Sequence, residues 1–477
     1  MPTLFLIVAL SYFLLLLLVS RLTAGKSTND TFYRGERRSP WWAVAFGMLG
    51  ASLSGVTFVS VPGMVRAADM TYLQMCLGFV PGYALVAFIL LPVYYRLRLT
   101  TIYTYLEGRF GRTGYHTGAS FFLLSKLTGA AVRLYLVCVI LQRIVFDALG
   151  VPFWCSVVVI LLLIWLYTRR GGIGTIVWTD CVQTLVLLAA LVLIISSILQ
   201  SEGWSPADAI AQVRHSTMSR VFVFDDWTSR HYFWKQFLSG AFIVVVMTGL
   251  DQDMMQKNLT CRTLRESQKN MIINGLLYLP VNILFLSLGV LMYLFAAHHS
   301  IALPASGDEV LPMLCAQGYL GSAALLCFAL GISAAAFSSA DSALTALTTS
   351  VCVDLCHRPD DERLRRHVHL GVALCLLLFI LTFHTLNSTS VIDAVYTIAS
   401  YTYGPLLGLF AFGLFLPAHI RPATRSVPFI CLAAPILCYL LATLSSTCWN
   451  YHFGYELLLL NGTLTFLGLR LTSTTLA

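Results

Sequence analysis

The sequence predicts an all-α, polytopic membrane protein, and three observations predict it. Of its 477 residues, 58% are hydrophobic and 11% are charged, whereas a soluble domain carries about 25% charged residues. The apolar residues are gathered into runs of the length needed to cross a bilayer, about 20 residues as a helix. The basic residues fall in alternate short connections between those runs, the pattern that sets membrane orientation. Thirteen runs are read as spans: 3–20, 42–65, 71–95, 117–143, 151–168, 173–199, 233–256, 271–297, 318–352, 368–387, 389–417, 426–445 and 452–470. The net charge of +8 is scattered over connections rather than gathered in a patch, so the expected partner is the lipid bilayer and not nucleic acid. No protein partner is evident.

Residues 3–20 carry no charge, and neither a basic leader nor an A-x-A site accompanies them, so a retained span is expected and not a cleaved signal peptide. The connection after it holds Arg21, Lys26, Arg34, Arg37 and Arg38. Taking that connection as cytoplasmic places 22 of the 30 Lys and Arg inside and 6 outside, with Lys126 and Arg133 within the fourth run. The expectation is a plasma (inner) membrane protein with its N-terminus outside and its C-terminus cytoplasmic. The long outer connection, about 200–232, has Trp204, Pro206 and Trp227 and is read as holding a short surface helix. The thirteen cysteines sit mostly in apolar runs without a CxxC pair, and are expected to be buried thiols. Cys352, Cys356 and His357 at a membrane edge are read as incidental.

The second run contains Gly47, Gly50, Gly55, Pro62 and Gly63, with Ser52, Ser54 and Thr57 between them. Gly and Pro weaken a helix interior. Close packing through small residues is one account. A discontinuous helix whose freed carbonyls line a cavity is the other, and it is the sequence pointer to a transporter site. In the sixth run Asp180 and Gln183 lie about two turns from the inner end, where a carboxylate needs a partner. Asp251 and Asp253, at the end of the seventh, are read as interfacial and paired with Lys257 or Arg262. Lys126 is expected to snorkel to the interface. Arg133 lies deeper and is read either as a clamp for an anionic solute group or as the partner of a buried Asp. In the ninth run Ser338, Asp341, Ser342, Thr345 and Thr349 recur on one helical face. The hydroxyls alone suit helix packing. Asp341 at membrane depth turns the reading toward a site of hard oxygen ligands for a cation such as Na⁺.

Three stretches resemble the sodium:solute symporter family: Gly50-Ala-Ser-Leu-Ser-Gly-Val-Thr-Phe-Val-Ser-Val-Pro-Gly63, Trp178-Thr-Asp-Cys-Val-Gln183 and Phe337-Ser-Ser-Ala-Asp-Ser342. Thr104-Tyr-Leu-Glu-Gly-Arg-Phe-Gly111, Asp251-Gln with Gln256-Lys, and Gly404-Pro-Leu-Leu-Gly-Leu-Phe410 support it in family order. The resemblance implies a LeuT-type bundle of two inverted five-helix repeats, 42–199 and 233–417. One extra span, 3–20, would precede them and two, within 426–470, would follow, all in one transporter domain over 1–477. It implies a main sodium site at Gly50, Leu53, Ala335, Ser338 and Ser339. A second cation site is implied at Asp180, Ser338, Asp341 and Ser342, with Asp341 where some members have serine, so that one sodium ion or two would bind. Thr57 stands where sugar carriers have a glutamine, and the deep arginine of sialate carriers falls about one turn before Arg133; both departures argue against those two solutes. The solute is expected among Ser52, Ser54, Thr57, Gln74, Arg133 and Tyr396.

The implied function is sodium-coupled symport of a small polar or anionic solute by alternating access. Proton coupling through Asp180 and Asp341 stays open, as does a transporter-like sensor without transport. An enzyme is not expected, since the sequence has no HExxH, no metal cluster and no nucleophile with a base placed beside it.

Overall fold

In the computed structural model the described residues are 2–23, 28–386, 391–449, 451 and 453–475. Met1, Lys26 and the start of the run assigned to 389–417 therefore lie outside them. The described chain is almost wholly helical. Seven helices are long and apolar enough to cross a membrane: Tyr72–Arg96, Thr104–Phe146, Ile173–Glu202, Leu264–His298, Gly321–Leu355, Glu362–Thr385 and Ser426–Trp449. Three further spans are bent helix pairs, and Ile7–Thr23, Phe153–Arg169 and Leu457–Leu471 are shorter apolar helices. Each apolar run of the sequence maps onto one of these. The outer connection does hold a surface helix, Pro206–His215, started by a capping box in which Ser205 and Asp208 satisfy each other's backbone amides.

The bent pairs position the site. Trp41–Ser52 and Gly55–Ala68 meet at 56°. Leu53 and Ser54 between them leave the helical region, with ψ of 77° and 170°, so the hydrogen-bond ladder stops among residues that hold a helix poorly. Phe233–Gly249 and Gln252–Asn258 meet at 70°, and here Asp251 caps the second piece by accepting from the Asp253 amide at 2.9 Å. Val395–Thr402 and Gly404–Phe415 meet at 42°, with Pro405 at the start of the second piece.

Helix 321–350 stands at the centre. It packs against helices 173–202, 104–141, 55–68 and 41–52, and against the N-terminal helix. Every residue from Ala334 to Ser350 is buried, so its polar stripe faces protein and not lipid. Gly50 permits a close approach of helices 41–52 and 173–202, where a Cβ would clash with Thr184 Oγ1.

The cysteine reading needs correction. All thirteen are free, but Cys155, Cys181 and Cys327 are half-buried and Cys356, Cys375 and Cys448 are exposed. Among the described residues no group of three or more His, Cys, Asp and Glu is placed to hold a metal ion.

Candidate ion and solute site

Helix 321–350 runs past the first break. Ser339 Oγ donates to the Ala51 carbonyl across it at 3.4 Å, so of the residues expected at the main sodium site Ser339 meets the break directly. Ser338 Oγ donates to Asp180 Oδ1 at 2.6 Å. With its proton committed to the carboxylate, the Ser338 oxygen keeps lone pairs for a cation.

Beside the break opens a cavity of about 90 Å³. Ser52, Ser54 and Thr57 line it from the broken helix, Arg133 from helix 104–141, and Tyr396 from the third bent pair. Phe79, Tyr83 and Tyr278 supply aromatic walls. Of the six solute-contact candidates five therefore meet in one space. Gln74 does not. Its amide donates to the Thr71 and His231 carbonyls at 3.3 and 2.9 Å and accepts from the Val223 amide at 3.1 Å. Its bonding capacity is spent fastening the outer connection, so it is a clamp and not a solute contact.

A ladder of buried charges runs from the cavity toward the ion region. Asp251 and Lys126 both line the cavity. Lys126 Nζ lies 3.1 Å from Asp251 Oδ2 and 2.5 Å from Asp253 Oδ2. Lys257 Nζ lies 4.0 Å from Asp253 Oδ1 and 2.7 Å from Asp180 Oδ2. Tyr403 donates to Asp251 at 2.6 Å. Two expectations fall here. Lys126 does not snorkel; only 5% of its side chain is exposed, because two carboxylates hold it inward. Asp251 and Asp253 are not interfacial; they are buried, and their chief partner is Lys126 rather than Lys257 or Arg262. Lys257 keeps the expected pairing with Asp253, but it is buried and lies closer to Asp180.

Asp180 and Asp341 differ in their nearest partners. Lys257 neutralises Asp180. Asp341 accepts from Tyr167 at 2.8 Å and from Ser342 at 3.1 Å, both uncharged donors. Arg133 differs from the two lysines: among the described residues it has neither a hydrogen bond nor an ion pair, and its guanidinium faces the cavity. The sequence had flagged Asp180, Asp341 and Arg133 by their depth. It missed Tyr167, Tyr403, the pairing of Lys126 with Asp251 and Asp253, and that of Lys257 with Asp180, which join residues far apart in the chain.

With this geometry established, comparison with known proteins assigns the chain. A family model described as the sodium:solute symporter family matches residues 32–419. The chain belongs to the sodium:solute symporter family. Among its relatives are the human sodium/iodide cotransporter, 27% identical over 83% of this chain and 63% of the relative, and the sodium/sialic acid symporter SiaT of Proteus mirabilis, 26% identical over 82% and 80%. The bovine sodium-coupled monocarboxylate transporter 2 is 24% identical over 82% and 64%. The chain thus spans less than two thirds of the sodium/iodide and monocarboxylate relatives it matches. A substrate-bound, outward-open Na⁺-coupled sialic acid symporter superposes with a TM-score of 0.83 at 22% identity, covering 99% of both chains. The nucleobase-cation-symport-1 transporter Mhp1 in a closed form superposes with a TM-score of 0.58 at 14% identity. The fold is therefore the LeuT type, and this family member is a multi-pass membrane protein.

Proposed function

We propose that this chain is a secondary active transporter that couples Na⁺ to the uptake of a small organic anion. The family membership supports the sodium coupling. The observation that carries the anion is Arg133, a guanidinium facing the cavity with no carboxylate of its own while every neighbouring lysine is paired. A charge at membrane depth costs ~2.5–3.5 kcal/mol even on lenient scales, and an incoming carboxylate would offset it with the bidentate geometry that Arg favours. The relatives named for iodide, sialic acid and monocarboxylates all handle anions, which agrees. In this reading Gly50, Leu53 and Ala335 offer carbonyls, and Ser338 and Ser339 hydroxyls, to a Na⁺ that joins the broken helix to helix 321–350. Ion binding favours the solute-competent conformer, and the two affinities rise together. The two repeats, 42–199 and 233–417, would then move against each other, with the N-terminus outside and the C-terminus cytoplasmic.

The test is uptake into proteoliposomes with and without a Na⁺ gradient at fixed pH, across iodide, sialate, short monocarboxylates and neutral sugars. An anion taken up only with Na⁺ is the expected result. Ser338→Ala and Ser339→Ala should each raise the Na⁺ concentration for half-maximal uptake, and Arg133→Lys should raise the solute KM while leaving Na⁺ binding intact. A neutral preferred solute, or uptake indifferent to Na⁺, would overturn the proposal.

A further inference from the structure

Five buried side chains stand in a row of alternating charge: Asp251, Lys126, Asp253, Lys257 and Asp180. None has more than 5% of its side chain exposed. Charges withdrawn this far from water are screened little, so a charge added at one end is felt along the row. The two ends face different things. Lys126 and Asp251 line the cavity together with Arg133, which stands two turns from Lys126 on the same helix. Asp180 accepts from Ser338 at 2.6 Å, next to the residue that meets the first break.

The row is unequally paired. Lys126 holds Asp253 by Oδ2 at 2.5 Å, while Lys257 stands 4.0 Å from Asp253 Oδ1. That Oδ1 is buried and accepts no hydrogen bond. Lys257 leans instead to Asp180, 2.7 Å away. Asp253 and Lys257 are one turn apart on helix Gln252–Asn258, so a rotamer change carries the ammonium from one carboxylate toward the other. The helix itself is pinned, because Gln256 donates to Thr349 Oγ1 at 3.0 Å and to the Tyr33 carbonyl at 2.9 Å. Asp251 keeps two other donors when Lys126 turns away, the Tyr403 hydroxyl at 2.6 Å and the Asp253 amide at 2.9 Å.

We propose that this row carries solute occupancy to the sodium site, with Asp253 as its central positioning residue. The inference rests on the sodium and anion reading above and says how the two ligands sense each other. An anion on Arg133 draws the Lys126 ammonium into the cavity and away from Asp253. Asp253 Oδ1 then takes Lys257, whose hold on Asp180 weakens. Asp180, less neutralised, pulls harder on the Ser338 proton, and the Ser338 oxygen becomes a better ligand for Na⁺. Each ammonium moves by side-chain rotation, and no charge leaves the bundle. The coupling is positive: the anion raises Na⁺ affinity, and Na⁺ must raise anion affinity by the same factor.

The test is equilibrium ²²Na⁺ binding to the whole chain in lipid nanodiscs, with and without saturating iodide, acetate, lactate or sialate. In the wild type at least one of these should tighten Na⁺ binding roughly tenfold, an ordinary strength of coupling between two sites. Arg133→Ala should lose that effect together with anion binding. Asp253→Asn leaves Lys126 on Asp251 and Lys257 on Asp180, so neither lysine is orphaned. It should bind Na⁺ alone, and the anion alone by equilibrium dialysis, much as the wild type does, while the effect of the anion on Na⁺ falls below about twofold. Asp253→Glu keeps the charge and should recover much of the effect. The ratio is taken within each protein, so a general loss of stability does not move it. A wild-type ratio in Asp253→Asn would overturn the inference. So would an Asp253→Asn protein that has lost either ligand on its own, since Asp253 would then be purely structural, and so would a wild type that takes up an anion yet binds Na⁺ indifferently to it. In these cases sodium-coupled anion uptake still stands. A wild type that neither responds to nor takes up any of the four probes would overturn the anion reading, and one that binds no Na⁺ would overturn the sodium reading.

Discussion

Lys257 shows how a single residue is read wrongly from sequence and rightly from its neighbours. It follows an apolar run, so a hydropathy window ends there and counts it with the cytoplasmic positive charges. Its surroundings are decided by Asp180, 77 positions earlier, and no window reports that pairing. Lys126 was misplaced for the same reason, because a lysine on a long stem is ordinarily free to reach water, and only Asp251 and Asp253 hold it inward. Removing one partner of a buried pair leaves a bare charge and costs about 3–5 kcal/mol. Lys257→Gln should therefore lower the thermal midpoint of the purified protein sharply. Asp180→Asn added to it removes the orphaned charge as well and should restore much of the loss. If the double variant were as unstable as the sum of the two single ones, the 2.7 Å pair would not be the source of the effect.

At the scale of helices, two of the breaks had different visibility. The first was legible because its cause is local: Gly50, Ser52, Ser54 and Gly55 all weaken a helix, and a run of them in an apolar segment signals interruption. The second was not, because Thr248-Gly-Leu-Asp holds one glycine and its turn depends on Asp251, which caps the new helix while pairing with a lysine from another element. The polar stripe of helix 321–350 was likewise legible by its spacing, whereas the burial of the whole helix was not, since Ala and Leu fit a lipid face as well as a protein face. The first break yields a prediction. Thr184 Oγ1 cannot move aside for a Cβ at position 50 without losing its bonds to the Asp180 and Phe46 carbonyls, at 2.7 and 3.1 Å. Gly50→Ala should cost about 1–3 kcal/mol of stability, as overpacking does, and raise the Na⁺ requirement by displacing the carbonyls of the break. Thr184→Ala should rescue it in part only, because the Thr184 Cβ would still lie 2.9 Å from the new methyl. Full rescue, or a Gly50→Ala protein with unaltered Na⁺ dependence, would show that the close approach does not hold the break in place.

For the whole molecule, the charge count links structure to energetics. A monoanion carried with one Na⁺ moves no net charge, so the membrane potential adds nothing to its accumulation. With a second Na⁺ at Asp341 each cycle carries one positive charge inward, and the potential contributes ~2.3 kcal/mol per 100 mV, which is roughly a fiftyfold gain in the limiting solute gradient. Solute uptake by proteoliposomes should therefore produce an inward current, and imposing an inside-negative potential with a potassium diffusion gradient should raise the accumulation ratio. Asp341→Asn should lose most of that voltage sensitivity while keeping Na⁺ dependence through the site at Ser338 and Ser339. Arg133→Ala is the complementary case: its solute uptake should fall at every potential, because the defect lies in holding the anion and not in the number of cations. A wild-type transporter whose accumulation ratio ignores the potential would mean that one Na⁺ accompanies each anion. The uncompensated charge of Asp341 would then be balanced within the bundle throughout the cycle.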